Sequence, residues 1–342
     1  MKTLSKLTAL LSAAAMTLSL AACSGGNAAS TPAPVDTSTP TDTAAPSEGA
    51  TYTVGLCQLV THDALDAATQ GFMDALNEAL PGQVEFDVQN AAGDSNTCST
   101  IVNSFVADGV DLILANATPA LQAATAATAD IPILGTSVTE YGVALNIQGF
   151  DGTVGGNVSG TSDLAPLDQQ AAMIYELFPD AETVGLIYCS AEANSQYQVD
   201  TVKAELEKLG YTCELYPFAD SNDAAAVTQT ACDASDVIYL PTDNTVASNT
   251  GIVDNICQPA GVPVVAGEEG IVKGCGVATL SISYYDLGVT TGKMAAQILT
   301  GEADISSMPI AYAEDFTPKY NPVICEALGL TMPENYVAID ME

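Results

Sequence analysis

Residues 110–136 read VDLILANATPALQAATAATADIPILGT, and the division of this stretch decides the fold. VDLILAN at 110–116 is a short, nearly continuous apolar run, as expected of a strand buried on both faces. Pro119 then stands where a helix can begin, because the N–H it lacks is one the first turn leaves unbonded anyway. The Ala- and Leu-rich run that follows predicts a helix over 119–128, and IPILGT at 131–136 is a second buried strand. Strand, helix and strand in succession make a parallel crossover unit.

The same rhythm continues on both sides. Upstream, TYTVGLCQL (51–59) and VEFDVQ (84–89) read as strands, with helices around 63–80 and 95–108. Downstream it restarts with TVGLIYC (183–189), YTCELYPF (211–218), SDVIYL (235–240), VPVVAG (262–267) and GVATLSIS (276–283). Helices near 194–209, 221–233 and 246–260 separate these runs. Two such series predict an α/β fold of two doubly wound parallel-sheet lobes in flavodoxin-like order. GGNVSG at 155–160 is Gly-rich but opens no helix, so it reads as the connector to the first crossing. A strong helix, YDLGVTTGKMAAQILTG (285–301), an extended stretch at Pro309–Ala313 and a helix at Asn321–Leu328 complete the chain. Their order fits a chain that crosses back and returns. The N-terminal lobe is then 51–163 plus 284–308 and the C-terminal lobe 164–283 plus 309–342, joined near 162–166, 280–284 and 308–314 and able to close like a hinge.

Composition narrows the function. The 342 residues carry 42 acidic side chains against 7 basic ones, a formal net charge of −35, with no arginine at all. That excludes a nucleic-acid binder, which needs a basic footprint to displace counterions. The N-terminus has Lys2 and Lys6, an apolar run over 7–22, and LSLAAC ending at Cys23. This resembles a bacterial lipoprotein signal, in which residues 1–22 are removed and Cys23 becomes the acylated N-terminus. Residues 24–50 are mostly Gly, Ser, Thr, Pro and Ala, the composition of a flexible tether with a reach of roughly 30 Å. The folded part is thus expected outside the cytoplasm, held to the outer face of the cell membrane by lipid.

Eight cysteines remain after Cys23: Cys57, Cys98, Cys189, Cys213, Cys232, Cys257, Cys275 and Cys325. An oxidising compartment permits disulfides, with Cys189 and Cys213 on neighbouring strands the first pair to consider, and buried free thiols are the alternative. No C-x-x-C pair exists and His62 is the only histidine, so a metal site is not expected.

In open α/β sheets ligands sit beyond the carboxyl ends of the strands. The loops there carry Thr61 and His62 after the first strand, Thr118 after the third, and Ser137 and Thr139 after the fourth. The second series supplies Asn194, Ser195, Asp243 and Asn244. Hydroxyls can serve merely as helix caps, but several facing one crevice form a polar wall. Without arginine, a carboxylate ligand must be held by hydroxyls and helix N-terminal N–H groups, here Thr61, Thr118, Ser137 and Ser195. An ammonium needs a carboxylate, for which Asp243 is the first choice, Asp286 the second and Glu140 the third. The rings of Tyr141, Phe150, Tyr197, Tyr284 and Tyr285 lie near these loops. No G-x-S-x-G, Walker A, G-x-G-x-x-G or H-E-x-x-H occurs, so neither catalysis nor a cofactor is expected.

Several stretches carry a family resemblance: GLCQLVTHDALDAATQGFMDAL (55–76), LANATPALQAATAATADIPILGTSVTEYG (114–142), GGNVSGTSDLAPLDQQ (155–170), VGLIYCSAEANSQYQV (184–199), VIYLPTDNTVAS (237–248) and YYDLGVTTGKMAAQILTG (284–301). Together they resemble the type I periplasmic-binding-protein family of ABC-transporter substrate-binding lipoproteins, and more narrowly its tryptophan and aromatic amino-acid branch. The resemblance implies a monomeric receptor that binds a small solute, an aromatic amino acid, between its lobes and delivers it to an ABC permease. It also implies that the loops at Asn194–Ser195 and Asp243–Asn244 face the ligand. Glu140-Tyr141 stands where the family more often has Asp-Pro. A sensor presenting ligand to a signalling receptor shares all these features, and an enzyme on the same scaffold is the remaining alternative.

Overall fold

The computed structural model describes residues 51–313 and 315–341. The expected signal peptide over 1–22, the acylated Cys23 and the tether over 24–50 lie outside the described residues.

The first lobe contains β1 (Tyr52–Gln58), α1 (Asp63–Ala79), β2 (Val84–Asn90), α2 (Ser95–Asp108), β3 (Leu112–Asn116), α3 (Thr118–Ala127), β4 (Ile133–Val138), the short α4 (Tyr141–Ala144) and β5 (Val158–Ser162). The second contains α5 (Leu167–Leu177), β6 (Thr183–Cys189), α6 (Ala193–Leu209), β7 (Thr212–Phe218), α7 (Ser221–Ala234), β8 (Val237–Leu240), α8 (Asn244–Ala247), α9 (Thr250–Ala260), β9 (Val264–Ala266), α10 (Glu269–Cys275) and β10 (Ala278–Ser281). The chain then forms α11 (Tyr284–Leu299), β11 (Ala311–Tyr312), β12 (Thr317–Tyr320), α12 (Pro322–Leu328) and β13 (Val337–Ala338). One sheet has the order β11-β5-β4-β3-β1-β2 and the other β13-β12-β10-β9-β8-β6-β7. Pairing is parallel throughout except where β12 runs antiparallel to β10. Both cores of five strands thus show the doubly wound order expected.

Burial on both faces explains the apolar runs. Val54 and Leu56 of β1 pack with Phe72 and Leu76 of α1 and Met294 of α11. Cys57, on the opposite face, packs with Phe105 of α2 and Leu121 of α3. Between α1 and α11 the backbones nearly touch. A Cβ on Gly71 would lie 2.1 Å from the Tyr285 carbonyl oxygen, and one on Gly288 2.0 Å from that of Ala68.

Several elements differ from the sequence expectation. The connector expected at 155–160 runs into a strand, β5, which has no apolar run because its side chains are mostly hydroxyls and glycine. Those hydroxyls are buried with internal partners: Ser159 Oγ donates to the Met308 carbonyl at 2.9 Å, and Thr161 Oγ1 lies 2.8 Å from Thr291 Oγ1. The helix expected over 246–260 is two helices. Ser248 and Asn249 separate them, turning their side chains onto the carbonyls of Asn244 and Thr245 and so competing with the helical ladder. Helices α5 and α10 were not expected.

The lobe boundary expected after residue 308 falls later. Ala311 and Tyr312 pair with Thr161 and Ser162 of β5, so the chain stays with the first sheet through β11 and joins the second at β12. Cys189 and Cys213 do not pair either. The β6–β7 register sets Cys189 opposite Phe218 and Cys213 opposite Val184, at different ends of the ladder. All eight described cysteines are free and buried. No described helix is long and apolar enough to cross a membrane.

Candidate functional site

The carboxyl ends of β1, β3, β4 and β5 in one sheet, and the loops after β6 and β8 in the other, bring polar side chains together in the buried interior. Local backbone prepares the first of these walls. Ala117, between β3 and α3, has φ +94°, and Ser137, at a register shift in β4, has φ +53°. Such conformations are costly for residues other than glycine and persist where the surroundings impose them, often at binding sites.

Within this wall several buried atoms have no partner in the protein. They are His62 Nδ1, Asn116 Oδ1, Ser137 Oγ, Asp163 Oδ1 and, from the other lobe, Asn194 Oδ1. A buried polar atom without a partner costs about 1–3 kcal/mol, and these five lie at strand ends or in the loops and first helical turn that follow them. Three of these side chains are otherwise held by hydrogen bonds. The Asn116 amide donates to the Leu65 carbonyl at 2.8 Å and to Thr69 Oγ1 at 2.9 Å. Asp163 Oδ2 accepts from the Tyr284 hydroxyl at 2.9 Å. The Asn194 amide donates to the Thr242 carbonyl at 3.0 Å.

Asp163 is the distinctive member. Burial raises its pKa above the ordinary 3.8, and hydrogen bonds from Tyr284 and Thr139 offset part of that rise. One oxygen is bonded and the other free, at a site where a cation would relieve the desolvation.

Direct bonds already span the lobes. His62 Nε2 lies 3.3 Å from Asn244 Oδ1, and Gln198 Nε2 donates to Thr139 Oγ1 at 3.5 Å. Burial lowers the His62 pKa, opposed in part by the Asn244 contact and the Glu192 carboxylate. Beside this bridge a cavity of about 230 Å³ is lined by Leu59, Val60 and Pro119 on one side and Ala191, Ala219 and Asn244 on the other.

The expected site residues divide. Thr118, Ser137, Thr139, Asn194, Ser195, Asp243 and Asn244 are all buried at these strand ends, with His62 half-buried beside them. Thr61 is exposed and accepts from the Asn90 amide, away from the cluster. Asp286 is exposed on the first turn of α11 and lines a separate cavity with Thr290, Tyr312 and Asp315. Glu140 caps α4 through the Val143 N–H.

Asp243 is buried as expected, yet both its oxygens are committed. Oδ1 accepts from the Val246 N–H at 2.9 Å as the cap of α8, and Oδ2 accepts from the Cys189 N–H at 2.7 Å. Burial and the nearby Glu192 carboxylate push its pKa up to about 8 despite those donors. Glu192 is likewise saturated, by the backbone N–H groups and side chains of Asn244 and Thr245. These two acids organise the second wall. The carboxylate oxygen left open is that of Asp163, which sequence reasoning missed, as it missed Gln198. Of the five rings expected near the crevice, Tyr284 reaches the cluster through Asp163, whereas Tyr141 is fully buried with its hydroxyl on the Thr161 carbonyl and Tyr285 is exposed. Among the described residues no group of three His, Cys, Asp or Glu side chains is placed to hold a metal.

Comparison with known proteins agrees with this architecture. The family described as ABC transporter substrate binding protein matches residues 53–341. A tyrosine-binding protein of Clostridioides difficile (strain R20291) is 34% identical over 280 residues, covering 81% of each chain. Among solved structures, an ABC domain in complex with L-Trp from Streptococcus pneumonia is 35% identical with a TM-score of 0.79, covering 83% of this chain and 97% of that one. The ligand-free, open structure of a substrate binding protein with adhesive properties from Clostridium difficile is 37% identical with a TM-score of 0.66, covering 85% and 100%.

Proposed function

Since the chain belongs to the ABC transporter substrate-binding protein family, whose members bind solutes rather than catalyse reactions, we propose that it captures an aromatic amino acid between its lobes for uptake by an ABC permease. The observation that carries this reading is the set of unpartnered buried atoms at the strand ends, one of them a carboxylate oxygen. The ligand ammonium bonds Asp163 Oδ1. Its carboxylate takes the N–H groups at the start of α3, which the helix dipole makes favourable for an anion, together with the hydroxyl of Ser137. Asn116 and Asn194 complete the shell. The ligand ring lies along Leu59, Val60 and Pro119 in the adjoining cavity, whose walls are largely apolar on that side. The C. difficile tyrosine-binding protein and the L-Trp complex support an aromatic ligand. Calorimetry of the mature protein across the amino acids should rank Tyr, Trp or Phe first; a preference for an aliphatic amino acid or a sugar would overturn the assignment.

The receptor works outside the cytoplasm, tethered through a diacylglyceryl group on Cys23 and the linker at 24–50. The Leu20-Ala21-Ala22-Cys23 sequence supports this anchoring. Cells fed a labelled fatty acid should label the wild-type protein and fail to label Cys23→Ala. Equal labelling of the two would exclude lipidation at this residue.

A further inference from the structure

The eight described cysteines are not evenly dispersed. Cys232, in the last turn of α7, and Cys257, in α9, place their sulfur atoms 2.9 Å apart. Both are buried, at 7% and 1% exposure, against Val253 and Ala231 in the core of the second lobe. A disulfide needs a sulfur separation of about 2.05 Å, so the pair closes with a displacement under about 1 Å, within the play of two side-chain torsions. Cys275 packs in the same cluster and adds to the rise of the Cys257 pKa.

We propose that Cys232 and Cys257 form an oxidation site, closing a disulfide between α7 and α9 when the chain folds outside the cytoplasm; this location rests on the family reading above. The oxidant is a small-molecule or protein disulfide. The Cys232 thiolate attacks one of its sulfurs, forming a mixed disulfide and expelling the first thiolate. Cys257, after losing its proton, attacks the Cys232 sulfur and expels the second. Two protein thiols lose two protons and two electrons, and the oxidant disulfide becomes two thiols. Either sulfur can be the donor in the 2.9 Å contact, so the two thiols can exchange these roles without changing the product. The bond restrains the unfolded chain and locks α7 against α9 without touching the ligand cleft.

The test refolds the full mature chain from urea in a buffer of reduced and oxidised glutathione, traps free thiols with N-ethylmaleimide in denaturant and maps the peptides. The expected result is the Cys232 peptide joined to the Cys257 peptide, with Cys275 fully alkylated. In Cys232→Ser, Cys257 should then be recovered alkylated. Recovery of both Cys232 and Cys257 alkylated from refolded wild type, or a Cys257–Cys275 link, would overturn the proposal. The wild-type map decides even if the variant fails to fold. Calorimetry with tyrosine and tryptophan on the same sample separates a failure here from a failure of the cleft reading.

Discussion

Replacing Asp163 with asparagine is expected to weaken binding of the aromatic amino acid by about a hundredfold or more. The ammonium of a bound amino acid is removed from water, and withdrawing the one carboxylate oxygen left free for it strands a buried charge. Breaking such a pair costs at least about 3 kcal/mol, which is roughly a hundredfold in affinity. Asparagine keeps the shape and can still accept from Tyr284, so the fold should persist. Calorimetry at neutral pH reads the loss directly, and affinity within threefold of wild type would remove Asp163 from the site. The pH profile gives an independent signature. In the free protein the Asp163 pKa is raised by burial, and a bound ammonium pulls it back down. Below the raised value each binding event must therefore expel a proton, so wild-type affinity falls by about tenfold per pH unit as the solution is acidified, and is flat above it. The asparagine variant should lack that slope.

The second large effect falls on stability. Gly288 faces α1 so closely that a methyl group would sit 2.0 Å from the Ala68 carbonyl oxygen, and backbone cannot yield as a side-chain tip can. Gly288→Ala should destabilise the protein by about 3 kcal/mol, the upper part of the range for overpacking. Gly251, near the start of α9, has open space around it. There alanine should add about 0.5–1 kcal/mol, by lowering the entropy of the unfolded chain and favouring helix. Urea denaturation of the two variants should move the midpoint in opposite directions. Equal shifts would mean that α1 and α11 can separate without cost.

The contrast between these positions shows what sequence can and cannot convey. Strands such as LILAN announce themselves because both faces are buried and every residue before the terminal Asn116 is apolar. VSGTS does not, because its burial depends on hydroxyl partners contributed by residues as distant as Thr291 and Met308. The same limit governs the site. Position at a strand end directs attention to Thr118, Ser137, Asn194 and Asp243, all of which are buried. It cannot tell which acid has spare capacity, since that depends on which backbone N–H groups the fold aims at it. Asp243 receives two, whereas Asp163 Oδ2 accepts from the Tyr284 hydroxyl and Oδ1 has no partner. Asp286, although beside a strand end in sequence, is carried by the first turn of α11 to another surface. No local pattern encodes that direction.

The repeated crossing of the chain between sheets bears on its biogenesis. The hydrophobic face of α1, ending at Ala79, is covered by α11, which begins only at Tyr284, and β5 receives its outer neighbour only at Ala311. A chain threading through a secretion channel from its N-terminus must therefore emerge almost entirely before its first half can seal its core. Until then the apolar side of α1 and the edge of β5 remain open to solvent, which favours a translocation-competent, late-folding precursor and exposes it to proteases and aggregation during export.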